Sequence, residues 1–389
     1  RAGKDAGMTK GLVLAGGGAK GSYQVGVYKA LDELDWRPGV IAGTSVGCLN
    51  GALFALDDWE LAQEMWLTIG DGQVMEPPPD GRPAGWGDFV QAAVEHGGMD
   101  VTPLEATVRR VVDEKALRAA PVRYGLVTVQ KNTLRPLKLT LEEIPEGRLA
   151  DYMLASAACF PAFQARTIDG EEYIDGGWSD NMPLGLAARM GAEELLAVDV
   201  DGVGVTLPNL TGLPTTCVRS YWDLGPILRF EPATAKRNIA LGYQDCYRAF
   251  GRLAGTAYAL RAGEDKKLAE RFVRPYARLL RSAISRSPSL ALTEGAALRP
   301  MERWCTTEQA RALAPLERAA ELAGVDPVGI YTADELCDAF LQKSDGEAAA
   351  RFYPLLRQEA GWRPMEAAVS AAVPGEFLTA LVRFVLTGQ

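Results

Sequence analysis

Histidine is nearly missing from this sequence: the 389 residues contain one, His96. Serine nucleophiles usually take their base from histidine, because the pKa of its imidazole lies near neutrality. A single histidine leaves few ways to assemble such a site. Any serine chemistry in this chain must use His96 or a base of another type.

The spacing of the cysteines does not indicate a metal centre. The six cysteines form no CxxC pair and have no histidine partner nearby. The sequence therefore predicts no metal site, no disulfide framework and no cofactor, and buried free thiols are the expected state. The cysteines are Cys48, Cys159, Cys217, Cys246, Cys305 and Cys337.

A basic surface and a long apolar run are also missing. The net charge of -9 argues against nonspecific nucleic-acid binding, which needs cations to replace counterions. No run approaches the ~18 apolar residues of a membrane span, and no secretory signal is present. We expect a cytoplasmic protein without a transmembrane segment, either free or peripheral to a membrane. Met8 is a plausible natural start, so residues 1–7 are left out of these expectations.

Strand and helix patterns alternate through the first half of the chain. The apolar run GLVLA is followed by apolar residues at i, i+3, i+4 and i+7 from Val27, and a second strand ending at Ser45 is followed by the same spacing. Strand patterns resume between 122 and 140, where Lys131-Asn132 reads as a turn between two strands. Alternating elements of this kind predict an α/β fold with a parallel sheet and right-handed crossovers.

Two stretches depart from that alternation. Residues 58–118 are rich in proline and glycine and carry helix-like segments, which predicts a helical insertion or cap. Strand patterns end near residue 205, and helical patterns dominate from there on. We therefore predict a catalytic-type domain over 8–205 and a helical C-terminal region over 206–389.

Helix-end signals are clear in the C-terminal region. Thr306 with Gln309 and Thr332 with Glu335 have the spacing of capping boxes, and Gly324 is a natural helix stop. These signals predict helices that begin and end at these residues.

A serine stands at the corner of a strand–turn–helix pattern. The motif Gly43-Thr44-Ser45-Val46-Gly47 has the GxSxG form of a nucleophile elbow, in which the two glycines let the turn close and leave the hydroxyl exposed. GxSxG alone occurs by chance, but a strand before it and a helix after it are what the elbow requires. We take Ser45 as the candidate nucleophile.

The glycine-rich stretch LAGGGAKG has two interpretations. Gly16, Gly18 and Gly21 match the GxGxxG fingerprint of dinucleotide-binding proteins, yet the second strand ends without the carboxylate that holds the ribose. The alternative is that the backbone N–H groups of Gly16, Gly17 and Gly18 form an oxyanion hole for acyl transfer. Lys20 either adds charge to that site or is a solvated residue at a helix start.

The general base is best sought among the carboxylates. In α/β-hydrolases the histidine of the triad comes last along the chain, after the serine and an acidic residue. His96 lies soon after Ser45 and no other histidine follows it, so we do not expect a triad of this order. Of the Asp-Gly pairs, Asp175 alone has a second glycine and directly follows a strand. Asp175-Gly176-Gly177 therefore presents a carboxylate at the sheet edge while the backbone turns away.

Taken together in this order and spacing, GGGAKG, GTSVG, ASAACFPAF and Asp175-Gly176-Gly177 resemble the patatin-like phospholipase family over residues 8–205. The resemblance implies a three-layer α/β sheet with flanking helices, a Ser45–Asp175 dyad without histidine, and Gly16 to Gly18 as the oxyanion hole. It implies hydrolysis of acyl esters from glycerolipids, by a phospholipase A-type enzyme, a lysophospholipase or an acylglycerol esterase. The alternatives are a small-ester esterase or acyltransferase on the same site, a Rossmann-type nucleotide-binding protein, and an interaction module without activity.

A basic helix face stands out in this acidic chain. Arg271, Arg274, Arg278 and Arg281 lie at helical spacing in the C-terminal region. The face is either solvated and paired with carboxylates, or a patch that docks anionic lipid headgroups or an acidic regulator.

Overall fold

The chain forms two compact units in a computed structural model that describes residues 8–76, 98–357 and 373–388. The first unit is Arg1–Ala249 and the second is Phe250–Gln389. The first is mixed α/β and the second mainly helical, which agrees with the predicted fold class. The division lies after Ala249, whereas the sequence predicted it after residue 205.

An eight-stranded sheet organises the first unit. Its strands are β1 (Lys10–Leu14), β2 (Val40–Thr44), β3 (Arg123–Gln130), β4 (Arg135–Thr140), β5 (Arg166–Ile168), β6 (Glu171–Asp175), β7 (Glu194–Asp199) and β8 (Thr215–Arg219). The order is β5-β6-β3-β2-β1-β7-β8, with β4 paired to β3 off this path. The five strands from β3 to β8 along this order are parallel, as predicted. The pairings of β4, β5 and β6 are antiparallel.

Helices cover both faces of this sheet. They are α1 (Ser22–Glu33), α2 (Val46–Ala55), α3 (Trp59–Thr68), α4 (Thr102–Val111), α5 (Glu114–Ala119), α6 (Leu149–Ser156), α7 (Leu184–Arg189) and α8 (Pro232–Ala249). Val13 and Ala42 point to one face, where they pack in a buried cluster with residues of α7. Leu14 and Ile41 point to the other, against Gly51 of α2. Because side chains alternate along a strand, each central strand is buried on both sides, and the unit has three layers.

The predicted insertion at 58–118 contains α3, α4 and α5. Residues 77–97, and with them His96, lie outside the described residues. Met99 rejoins the sheet region, where its N–H donates to the carbonyl oxygen of Ala162 at 2.8 Å. The part of the insertion around Met99 therefore lies beside the ASAACFPAF segment.

Two elements beyond residue 205 belong to the first unit. β8 pairs in parallel with β7, and α8 crosses α1 at very short range. A side-chain carbon at Gly26 would lie 1.8 Å from the Ile239 carbonyl oxygen, and one at Gly242 would lie 2.0 Å from the Tyr23 carbonyl oxygen. Only glycine permits backbones to approach this closely, so α8 is locked to the first unit by packing.

The second unit is a set of helices with a small three-stranded sheet. Its elements are α9 (Glu264–Arg286), α10 (Leu290–Leu298), α11 (Glu308–Leu322), α12 (Ala333–Lys343), α13 (Gly346–Ala350), α14 (Tyr353–Leu356), α15 (Pro374–Thr387), β9 (Leu253–Ala254), β10 (Ala259–Arg261) and β11 (Ile330–Tyr331). Among the described residues, no helix has both the length and the apolar character needed to cross a bilayer.

The helix-end predictions in this unit are mostly confirmed. Thr332 forms the predicted capping box with Glu335, and Gly324 follows α11 in the left-handed region at φ 72°. The box predicted at Thr306 is wrong by one residue. Thr307 has the extended backbone of a cap, and its hydroxyl accepts the Ala310 N–H at 3.1 Å.

The four predicted arginines lie exposed along α9. Arg271 forms an ion pair with Asp334 and also contacts the Cys337 thiol. Arg274, Arg278 and Arg281 form no ion pair with any described carboxylate. Pairing with a carboxylate therefore holds for Arg271, whereas docking of a partner on Arg274, Arg278 and Arg281 stays a prediction.

Candidate active site

Ser45 occupies a strained turn between β2 and α2. Its backbone has φ 55° and ψ -129°, a region that residues with side chains rarely adopt. A side-chain carbon at Gly43 would lie 2.3 Å from the Gly47 carbonyl oxygen, and one at Gly47 would lie 2.2 Å from that of Leu14. Both glycines of the motif are thus required by the tightness of the turn, as a nucleophile elbow demands.

A serine that the sequence analysis missed supports this turn. The Ser45 N–H donates to the Ser156 hydroxyl at 2.9 Å, and that hydroxyl donates to the Val127 carbonyl oxygen at 2.6 Å. Ser156 is fully buried at the end of α6. It lies in the ASAACFPAF segment, and its position there was the only sequence signal for a role beside Ser45.

Asp175 lies at the end of β6 beside the Ser45 side chain, and both residues line the same cavity. The Gly177 N–H donates to the Asp175 carboxylate at 2.7 Å, which fixes the carboxylate in the turn. The side chain is 7% exposed. Burial raises the pKa of Asp175 to about 6, although the neighbouring Ser45 side chain and the bond from Gly177 oppose that rise. A carboxylate with this pKa is a stronger base than an ordinary aspartate and is still ionised at neutral pH.

In the glycine loop, Gly16 to Gly18, one backbone N–H bonds within the fold and two lie at the cavity. The Gly16 N–H donates to the Asn181 carbonyl oxygen at 3.1 Å, so in this structure the predicted oxyanion donor is engaged in a bond within the fold. Gly17 and Gly18 both line the cavity at Ser45, and neither N–H meets an acceptor among the described residues. Gly18 has φ 54°, and a side-chain carbon there would lie 2.0 Å from the Ile227 carbonyl oxygen.

Asn181 ties the glycine loop to the aspartate turn. Its side-chain amide donates to the Gly16 carbonyl oxygen at 3.1 Å, while its backbone accepts the Gly16 N–H. The backbone N–H of Asn181 donates to Val205 at 2.7 Å. Lys20 does not line the cavity. Its ammonium donates to the Asp201 carbonyl oxygen at 2.8 Å. Lys20 therefore holds the 201–205 loop in place.

A largely apolar cavity of about 720 Å³ opens at Ser45 and Asp175. Its walls come from the first unit, and the insertion contributes α3 and α4. Leu53, Trp66, Val108, Phe163, Leu228 and Phe230 are among the lining side chains. Arg110 and Asp175 are the only charged residues among the described lining. The cavity therefore suits an apolar ligand whose polar end lies at Ser45.

A second buried aspartate stands apart from this cavity. Asp180 is buried near Asp175 but forms an ion pair with Lys138 and does not line the cavity. No cluster of three His, Cys, Asp or Glu side chains with the arrangement of a metal site occurs among the described residues.

All six cysteines are free, as expected. Four are buried and Cys159 is half-buried. The prediction of burial is wrong for Cys217, which is exposed on β8 at the sheet edge. An edge strand covered on fewer sides leaves such a side chain in solvent.

Comparison with known proteins gives a family match over the same region. Residues 12–188 match the family described as patatin-like phospholipase. Lysophospholipase NTE1 of Mycosarcoma maydis is 29% identical over 206 residues, which cover 53% of this chain and 10% of that protein. Patatin-like phospholipase domain-containing protein 6 of Homo sapiens is 29% identical over 273 residues, covering 65% of this chain and 18% of that protein. The matched region is thus less than a fifth of the length of these curated relatives.

Among solved structures, the crystal structure of VipD from Legionella pneumophila has a TM-score of 0.40 and 14% identity, over 99% of this chain and 94% of that chain. A score this low supports no inference about function.

Proposed function

Because residues 12–188 of this chain match the patatin-like phospholipase family, we propose that it is a serine lipid acyl hydrolase that works through a Ser45–Asp175 dyad. The observation that carries the proposal is that Ser45, in its strained turn, shares one apolar cavity with the buried carboxylate of Asp175, whose pKa burial raises to about 6. The carboxylate replaces the histidine of a triad as the proton acceptor. No step requires His96.

The proposed reaction has two halves. Asp175 takes the proton from the Ser45 hydroxyl while the serine oxygen attacks the acyl carbonyl carbon, and the carbonyl oxygen becomes an oxyanion that accepts the N–H groups of Gly17 and Gly18. Asp175 then returns the proton to the leaving alkoxide oxygen as the ester C–O bond breaks. A water, deprotonated by the same carboxylate, attacks the acyl-Ser45 ester, and Asp175 gives that proton to the Ser45 oxygen as the ester bond breaks and the fatty acid leaves. Gly16 has a structural role through its bonds to Asn181.

Cavity size favours substrates with one acyl chain in the site. A methylene occupies about the volume of a water molecule, roughly 30 Å³. The cavity of about 720 Å³ thus has room for roughly 24 methylenes, which is one long chain and not two. Lysophospholipids and monoacylglycerols place their only chain there and leave the headgroup at the mouth. A lysophospholipase or acylglycerol esterase activity therefore needs no space for a chain outside the cavity, whereas a phospholipase A activity has to leave the second chain of its substrate outside.

Two partners follow from this proposal. The substrate is a lipid, which the enzyme meets at a membrane or micelle surface. The exposed Arg274, Arg278 and Arg281 of α9 are a second candidate contact, for anionic headgroups or an acidic regulator.

Covalent labelling tests the nucleophile directly. A fluorophosphonate probe should label the wild-type protein at Ser45, and Ser45→Ala should abolish labelling. Ser179→Ala, a control at a serine four residues after Asp175, should retain labelling. The wild type should also hydrolyse lysophosphatidylcholine faster than phosphatidylcholine, with turnover unchanged in EDTA. Labelling that survives Ser45→Ala, or turnover lost in EDTA and restored by calcium, would contradict the proposal.

A further inference from the structure

A long uncharged stretch borders the active site. Residues 202–218, which connect β7 to β8 and include most of β8, contain no Asp, Glu, Lys or Arg. Charged residues make up 23% of the chain, so a stretch of this length on the surface is unusual for it. Residues 203–210 are all exposed.

The large exposed side chains of this stretch are mostly apolar. Eleven large hydrophobic side chains are strongly exposed among the described residues, and four of them lie within eight residues: Val203, Val205, Leu207 and Leu210. Leu210 is 87% exposed and Val203 is 80% exposed. Single exposed apolar residues are ordinary, but a contiguous group indicates a binding surface.

Trp178 extends this group to the aspartate turn. Its indole is 51% exposed, three residues after Asp175, and its ring N–H donates to the Phe160 carbonyl oxygen at 3.3 Å. Tryptophan has an apolar body and one polar edge, a combination that favours the boundary between water and lipid. We call Trp178 and residues 203–210 the apolar rim.

The apolar rim is continuous with the cavity. Trp178, Val203 and Val205 line the cavity and are also exposed to solvent. The Val205 N–H donates to the Gly177 carbonyl oxygen at 2.8 Å, which fixes the rim to the turn that carries Asp175. A surface in contact with the rim would therefore also be in contact with the mouth of the cavity.

From these observations we infer that the apolar rim docks on the surface of a lipid bilayer or micelle, and that an acyl chain enters the cavity across it without passing through water. The inference rests on the proposed function, because the occupant is the aggregate that holds the lipid substrate. Since the rim carries no charge, apolar burial and not counterion release drives docking. Binding should therefore occur on zwitterionic phosphatidylcholine and change little with salt.

Vesicle binding by matched variants tests the inference. Leu207 and Leu210 do not line the cavity, so Leu207→Glu/Leu210→Glu changes the rim and leaves the catalytic groups in place. Burying a leucine is worth enough that losing both contacts, with two charges added, should weaken partitioning into phosphatidylcholine vesicles at least about tenfold. Flotation at low and at high salt measures it. Turnover of a soluble p-nitrophenyl ester should stay within about twofold, while turnover of vesicle-bound lysophospholipid should fall with binding.

The second unit offers a control with nearly the same exposure. Leu322 is 42% exposed and Leu292 is 79% exposed, against 41% for Leu207 and 87% for Leu210. Leu322→Glu/Leu292→Glu adds the same charge and should leave vesicle binding unchanged. If both double variants lose binding equally, the rim has no special role and the inference fails. If the rim variant is poorly folded by thermal unfolding, Leu210→Ser replaces it and should still weaken binding measurably.

The remaining outcomes separate the rim from the chemistry. Ser45→Ala should bind vesicles as the wild type does, because docking needs no turnover. A wild type that hydrolyses the soluble ester but does not float with vesicles would overturn the inference and leave the proposed function intact. If the wild type binds vesicles but is not labelled by a fluorophosphonate, the proposed function fails and docking by the rim still holds. If the rim variant instead turns a wild-type dimer into a monomer, and the wild type ignores vesicles, the rim is an interface between copies and the inference is wrong.

Discussion

Asp175→Asn should separate the catalytic role of the carboxylate from its effect on stability. Asparagine has nearly the same shape and still accepts hydrogen bonds, but it takes no proton from Ser45. Fluorophosphonate labelling and ester turnover should fall by roughly 10² to 10⁴. In the wild type, the labelling rate should decline below pH about 6, where the raised pKa of Asp175 leaves the carboxyl protonated. The decline should approach tenfold per pH unit, and the variant should lack it.

The same group links stability to pH, with a definite sign. The pKa of Asp175 rises from its ordinary 3.8 in the unfolded chain to about 6 in the fold, so the folded protein binds the proton more tightly. Its contribution to stability is full below pH about 3.8 and is lost as the pH rises through about 6. A shift of roughly two units at 1.36 kcal/mol each gives about 3 kcal/mol, of which about 2–3 kcal/mol falls between pH 4 and pH 8.

Urea unfolding of both proteins at pH 4 and pH 8 measures this contribution. The amide that Asp175→Asn introduces leaves a donor in a buried place, but this effect is the same at both pH values and cancels in the difference of differences. The Asp175→Asn protein should therefore gain about 2–3 kcal/mol relative to the wild type on going from pH 4 to pH 8. A gain in the wild type instead, or a labelling profile that bends near pH 4, would refute a buried carboxylate base.

Three further predictions address other residues. Ser156→Ala leaves the buried Ser45 N–H without its acceptor, so denaturation should show an unfolding free energy lower by about 1–3 kcal/mol and probe kinetics should show slower labelling. Unchanged values would mean that Ser156 does not support the turn. His96→Ala should leave ester turnover within about twofold, because no proposed step uses an imidazole, and an inactive variant would refute the dyad. Reversing Arg274, Arg278 and Arg281 to Glu should weaken binding to anionic vesicles but not soluble-ester turnover, and equal binding in a flotation assay would mean that this face is merely solvated.

Local sequence patterns predicted most of the fold and pointed to the two residues of the proposed dyad. The strand–turn–helix around Ser45 follows from short-range spacing, and a tight turn needs the two glycines wherever it occurs. Asp175 was found because a second glycine after an Asp-Gly pair is itself a local signal. Both residues lie at strand ends, and the sheet's order brings these ends to one edge.

Long-range hydrogen bonds were beyond the reach of those patterns. The Gly16 N–H is taken by Asn181, a residue 165 positions along the chain, so the sequence could not tell which of the three glycine donors remained. The role of Ser156 depends on the position of α6 against β2 and β3 in the same way. The pKa of Asp175 depends on burial by groups from several elements, none of which a motif contains.

The contact of the glycine loop with Ile227 bears on how much of the chain is needed for catalysis. Ala19 donates its N–H to the Ile227 carbonyl oxygen at 2.7 Å, so the loop that carries the proposed oxyanion donors of Gly17 and Gly18 is held from outside the family match at 12–188. The glycine crossing of α1 and α8 adds a second anchor beyond it. A truncated protein that stops at residue 205 would keep Ser45 and Asp175 but lose both supports. The shortest fragment worth expressing for crystallography or screening therefore runs through Ala249.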